Sequence, residues 1–153
     1  MPALPLAGLT PLLRIAMNKL NKTIVLAASL LVLTVLNTAN ADDVKVLASD
    51  FHNSGGNRWS VSVTLKHGDA GWEHYADGWR VVDGEGNKLG ERVLYHPHVD
   101  EQPFTRGLRS VKVPEGITTV YIEAHDKVHG WTPKRLKVDL SKAVGGRLRV
   151  EAE

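Results

Sequence analysis

Trp59-Ser60-Val61-Ser62-Val63-Thr64-Leu65-Lys66 decides the fold. Its apolar residues fall at every second position, and in an extended chain that period puts Trp59, Val61, Val63 and Leu65 on one face. The other face carries Ser60, Ser62, Thr64 and Lys66, so the segment reads as a half-buried strand that needs a second layer over its apolar side.

Working outward, Asn53-Ser54-Gly55-Gly56-Asn57 forms a turn, and Val44, Val46 and Leu47 before it open a strand running toward Phe51. Downstream, Trp79 and Val81 alternate with Arg80 and Val82. The turn Asp83-Gly84-Glu85-Gly86-Asn87 follows, whose glycines accept positive φ at little cost, and a strand over 88–96 returns from it. Another strand spans 108–113 and is ended by Pro114-Glu115-Gly116. Val120, Ile122 and Ala124 alternate with Tyr121, Glu123 and His125, and Leu136, Val138 and Leu140 with Lys137 and Asp139. After Gly145 and Gly146, Leu148 and Val150 indicate a final edge strand.

This pattern predicts an all-β domain of seven or eight strands with no long amphipathic helix, and two facing antiparallel sheets are the economical way to bury one side of each strand. Trp79, opening a middle strand, suits the core position that a buried tryptophan fills in immunoglobulin domains. In strand number and spacing, residues 44–140 resemble an immunoglobulin-like or fibronectin type III β-sandwich. The cysteine pair of antibody domains is missing, so the resemblance implies a fold and no function. The runs 71–79 and 96–106 are similar to those of small bacterial secreted proteins, a likeness that implies no activity.

Residues 17–41 read as an export signal. Lys19 and Lys22 form a basic start, an apolar run extends from Ile24 to Leu36, and Ala39-Asn40-Ala41 presents small residues for cleavage. The run is shorter than the ~20 apolar residues of a membrane span, so the expectation is a domain over 42–153, periplasmic or secreted, with no stable membrane anchor after cleavage. Residues 1–16, with Pro2, Pro5 and Pro11, read either as a start placed upstream of a true initiator at Met17 or as an extended leading region.

Cleavage would remove Arg14, Lys19 and Lys22 and no acidic residue, so 19 basic side chains become 16 against 17 acidic ones and the formal charge moves from +2 to −1. No basic footprint for nucleic acid remains. The 112 residues beyond Ala41 suffice for one core. With no cysteine in the chain and both methionines before residue 18, any metal there must be held by imidazole, carboxylate, hydroxyl or carbonyl groups. Those donors suit Zn(II), Cu(II) or Ni(II) better than Cu(I).

All seven histidines lie beyond the signal. His96 and His98 flank Pro97 and project to the same side of an extended chain. His74 lies in the loop 71–78 near Asp77, and His125 and His129 end a strand and its following loop beside Asp126. In a sandwich, alternate connections gather at one end, and the strand returning from the 83–87 hairpin brings His96 back toward His74. His74, His96, His98 and His129, with His125 and Asp126, are therefore the candidate ligands of a divalent transition metal, with Asp77, Asp100 or Glu101 as further carboxylates. The other reading of the same histidines is local hydrogen bonding and surface titration. Asp42-Asp43-Val44 lacks the third-position histidine of a simple amino-terminal copper site.

Trp72, Tyr75 and Trp131 form a second constellation, able to meet a protein or glycan partner or to pack over one end of the core, whereas Trp59 and Trp79 have strand periodicity and belong inside. The polar segment 99–106 reads as a self-bonded connection, with Arg106 pairing Asp100 or Glu101. Ser60, Ser62 and Ser110 are strand serines without a nucleophile elbow, and no glycine-rich loop leads a helix toward a nucleotide phosphate. A binding module is therefore the expectation, ahead of a metal-dependent enzyme.

Overall fold

In the computed structural model, which describes residues 43–153, nine strands form two antiparallel sheets packed as a β-sandwich. They are β1 (Lys45–Gly55), β2 (Arg58–Lys66), β3 (Ala76–Val82), β4 (Lys88–Val93), β5 (Phe104–Lys112), β6 (Thr119–Asp126), β7 (Gly130–Trp131), β8 (Leu136–Asp139) and β9 (Arg147–Glu151). One sheet has the order β5-β2-β1-β9, and the other runs β4-β3-β6, with β7 and β8 both paired to β6. Setting β9 aside, three strands face a sheet whose central pair is β3 and β6, the arrangement of an immunoglobulin-like sandwich with an extra edge strand against β1. The signal-like stretch and the residues before it lie outside the described residues.

The alternation of β2 is realised as read: Trp59, Val61, Val63 and Leu65 are buried, and Ser60, Ser62 and Thr64 are half-buried on the other face. They meet Trp79, Val81, Val120, Ile122, Ala124 and Val138 from the facing sheet. Trp79 is fully buried at the centre, and Phe51 and Trp59 pack edge to face at 6.1 Å. At the β4 edge the sheets approach so closely that a Cβ on Gly90 would come within 3.0 Å of Leu108 and 3.1 Å of Val111.

Three strand ends and one additional strand differ from the sequence expectation. β4 stops at Val93 instead of reaching His96, because Leu94 turns its buried side chain into the core while its N–H donates to the Asp77 carbonyl at 2.8 Å. β5 starts at Phe104 instead of Leu108, since the pairing with β2 continues to Leu65, and Thr64 and Thr105 hydroxyls meet at 2.8 Å. Leu140 leaves β8 for a short 3-10 turn, Leu140–Lys142, capped by Asp139. The ninth strand is the two-residue β7, too short to show a period of its own.

These connections sort the chain into two poles. Loops 67–75, 94–103 and 127–135 meet at one pole, and turns 56–57, 83–87, 113–118 and 140–146 lie at the other. Six of the seven histidines occupy the first, and the remaining one, His52, is exposed on β1.

Candidate functional site

The histidine pole begins where β2 ends. Leu65 points inward and Lys66 outward, so the next residue, His67, continues the inward parity and is buried. Two residues on, Asp69 is also buried, and its two oxygens hold three segments together. Oδ1 accepts from His67 Nδ1 at 2.6 Å and from the Ala76 N–H at the start of β3 at 2.9 Å, while Oδ2 accepts from the His98 N–H at 2.7 Å. Gln102 adds a second clasp, accepting from the His67 N–H at 3.0 Å and donating to the His98 carbonyl at 3.0 Å.

Because an ionised Asp69 carboxylate is acceptor only, His67 donates from Nδ1, and in the neutral ring that leaves Nε2 to present a lone pair. That nitrogen is buried and has no hydrogen-bond partner among the described residues. Such an acceptor is costly to leave bare. It faces company suited to a cation: His67, His74 and Asp126 each offer one donor atom, and the three lie within 4.8 Å of one another. The His67 and His74 rings stand nearly perpendicular with centres 4.9 Å apart, and His74 Nε2 lies 3.5 Å from Asp126 Oδ1. This is a group able to hold a metal ion.

Asp126 arrives from the last position of β6, where it pairs with Ala76, and it folds the following turn around itself. Its Oδ1 accepts from the Val128 and His129 N–H groups, each at 2.8 Å. His129 Nδ1 lies 3.1 and 3.2 Å from the two oxygens. Burial pushes the Asp126 carboxyl up, but the His129 and Val128 amides and the nearby His129 and His67 rings outweigh it, and the group stays ionised below the ordinary range. A buried carboxylate kept charged beside two imidazoles is what a divalent ion requires.

The other expected ligands fall around this group. His129 reaches it through Asp126, with its ring 5.2 Å from that of His74. His125 is bonded to Asp77 and abuts Trp131 at 4.8 Å, so it belongs to a separate pair on the β6–β7 edge. His96 and His98 sit together across Asp69 from His67, with ring centres 4.6 Å apart. His98 is buried and stacks flat on Phe104 at 3.9 Å. Burial, with Arg106 and His96 nearby, holds its imidazole below the usual histidine value. Glu101, not Asp100, is the partner of Arg106, at 2.8 Å.

The aromatic constellation is divided. Trp72 is 62% exposed, and Tyr95, Val99 and Val128 are exposed on the same pole. Tyr75, open in the sequence to partner contact or to packing over the core, is buried beneath Trp72, whose ring centre is 6.1 Å from its own, and Lys127 lies over it at 5.4 Å. Trp131 is half-buried, with the Arg80 guanidinium 3.9 Å above its ring. Arg80 is itself held by Glu123 at 2.7 Å.

The sequence reading missed His67 and Asp69. The signal was present as parity: His67 continues the alternation of the clearest strand, and an H-x-D spacing puts a carboxylate within reach of Nδ1.

No family model and no solved structure matches the chain. A curated protein of Halomicrobium mukohataei named "Putative lipoprotein" is 40% identical over 104 residues, which is 68% of this chain. The match spans 48% of that relative, so the chain covers about half its length.

Proposed function

We propose that this is an exported binding domain whose His67, His74 and Asp126 hold a divalent metal ion at one pole of the sandwich. The observation that carries the reading is the buried, unpartnered Nε2 of His67, whose tautomer Asp69 sets from the other side of the ring. A carboxylate behind a ligating histidine orients the ring and raises its basicity, the usual outer partner of a metal-bound imidazole. Export is supported by the signal-like stretch 17–41 and by the relative named as a lipoprotein. Imidazole and carboxylate donors without sulfur favour Zn(II), Cu(II) or Ni(II). Three protein donors leave coordination positions for water or a bound group. The role is binding rather than turnover, in the periplasm or outside the cell.

Metal analysis after purification without chelator, followed by thermal unfolding with each ion, tests this reading. An ion at about 100 times its Kd adds about 2.7 kcal/mol of stability. The His67→Ala variant should bind at least tenfold more weakly and, at the same ion concentration, lose about half of that increment or more. A parent protein whose unfolding is indifferent to all three ions would end the proposal, and turnover abolished by chelation would replace binding with catalysis.

A second reading is favoured by Trp72: a large ring this exposed, beside Tyr95 and Val128 on the same pole, suits stacking on a glycan or seating in a protein partner. Tyr75 would support Trp72 from below and Trp131 would lie to the side. Partner-dependent tryptophan fluorescence that persists in chelator and disappears in Trp72→Ala would establish it.

A further inference from the structure

We infer that His96 and His98 form a second metal site, separate from the His67 group, that takes one divalent ion of tetragonal preference such as Cu(II). Four observations carry this. His98 is 4% exposed, and both of its ring nitrogens are buried without a hydrogen-bond partner among the described residues. A neutral imidazole carries one donor and one acceptor, so two orphaned atoms in one buried ring is a doubled cost that a ligand on the acceptor side would relieve. The nearest carboxylate oxygen, Asp69 Oδ2, is 3.9 Å from Nδ1, beyond hydrogen-bond reach and already committed to the His98 backbone N–H.

The ring is also fixed. Its stacking on Phe104 at 9° between planes holds the imidazole, and the backbone N–H bond to Asp69 and the backbone carbonyl bond from Gln102 hold the main chain that carries it. His96 supplies the second donor. It is exposed to solvent, and its ring centre lies 4.6 Å from that of His98. Two imidazoles bound to one ion through nitrogens at about 2 Å place their ring centres roughly 4.5 Å apart when the two bonds meet at a right angle. The observed separation therefore already suits neighbouring corners of a square. The positive charge of Arg106, which acts on His98, is partly answered by Glu101 at 2.8 Å.

The site does not depend on the His67 group, although Asp69 touches both: Oδ1 orients His67 and Oδ2 anchors the backbone of His98. The chain would present one imidazole pair at the surface and one buried ligand group behind it.

Calorimetric titration of the purified protein with Cu(II), with the spin-resonance spectrum recorded at each equivalent, tests the inference. The parent should take up about two equivalents, and His96→Ala and His67→Ala about one each, with nitrogen hyperfine structure of the remaining ion differing between the two variants. His96 is exposed, so its replacement leaves the fold intact; His98→Leu, checked for folding by circular dichroism, should lose the same equivalent as His96→Ala. A His96→Ala protein that binds as much Cu(II) as the parent, with the same affinities, overturns the site. If His67→Ala loses all binding, the second site is likewise overturned and the His67 group stands. If His67→Ala loses nothing while His96→Ala loses one equivalent, this inference survives and the His67 reading fails.

Discussion

The two poles of the sandwich are closed by different means. At the far pole, connections turn on backbone conformation: Gly55, Gly56, Asn57, Gly86, Gly116, Gly145 and Gly146 all take positive φ there. At the histidine pole Gly71 and Gly130 do so, and the work of joining segments falls to side-chain carboxylates. Asp83 illustrates the difference: it accepts from Glu85 and Asn87 within its own hairpin, whereas Asp69 joins the residue after β2, the start of β3 and the loop 94–103, and Asp126 binds a turn while facing His74 and His67. A turn that needs only closure uses glycine. A pole that spends buried charge on its loops stores something else, a set of oriented imidazoles, and that expense makes sense where a cation offsets it.

Replacing Asp69 tests this comparison most severely. Asp69→Ala leaves His67 Nδ1 and the amides of Ala76 and His98 without their acceptor, and urea unfolding should show a loss of about 3–5 kcal/mol. Asp83→Ala at the opposite pole should cost less, because the bonds of this buried carboxylate stay within one hairpin, whose tip 84–87 is exposed, and join no separate segments. Asp69→Asn separates structure from metal binding. The amide keeps an acceptor but no longer dictates the His67 tautomer, so metal affinity should fall 10–100-fold, as about expected when an outer partner is lost, while unfolding moves much less than for alanine. Equal affinity in Asp69→Asn and the parent would show that the Asp69 bond is purely architectural.

At the glycine pole the expected effects are smaller and blind to metal. Gly146 has a φ of 74°, and an added Cβ would lie 3.5 Å from Asn53 Cβ, a contact that is ordinary in itself. Gly146→Ala should therefore cost about 1–2 kcal/mol through its left-handed backbone alone, with metal uptake unchanged. Altered metal binding in that variant would break the separation of the poles.

How much of this could be read beforehand follows the same division. Strand alternation made the sandwich legible because β2, β3 and β6 each bury one face, and a period of two survives wherever one face is wet. The ends of strands carry no such period. β4 was overextended to His96 because nothing in the residues 88–96 announces that Leu94 dives into the core, and β7 is two residues long. The convergence of His74, Asp126 and His129 followed from connectivity, since alternate loops share a pole. Which imidazoles share one ion did not follow: His96 and His67 stand on opposite sides of Asp69, and that partition depends on side-chain bonds across 29 residues of sequence. For Tyr75 and Trp131 residue type leaves both a surface and a packed position open, because the covering residues, Lys127 and Arg80, come from other strands and turns.

The smallest effect separates the two imidazole sets by pH. His98 is held below its ordinary value chiefly by burial, so the folded state favours its neutral form. A histidine depressed in this way contributes stability that is present above the unfolded value of 6.5 and is withdrawn as pH falls toward the lower folded value, because unfolding lets the ring take up a proton that the fold resists. Asp126 has the same sign in a lower window: its contribution is complete above 3.8 and is lost beneath it. In chelator, the stability of the parent against unfolding should therefore fall between pH 7.5 and 5.5, and that of His98→Phe, which preserves a flat ring against Phe104, should fall less over the same interval. Parallel pH profiles for the two proteins would mean that His98 gains its proton without cost in the fold. The doubled orphaning of its ring, on which the second metal site rests, would then have to be satisfied by water, leaving the histidine pole with a single place for an ion.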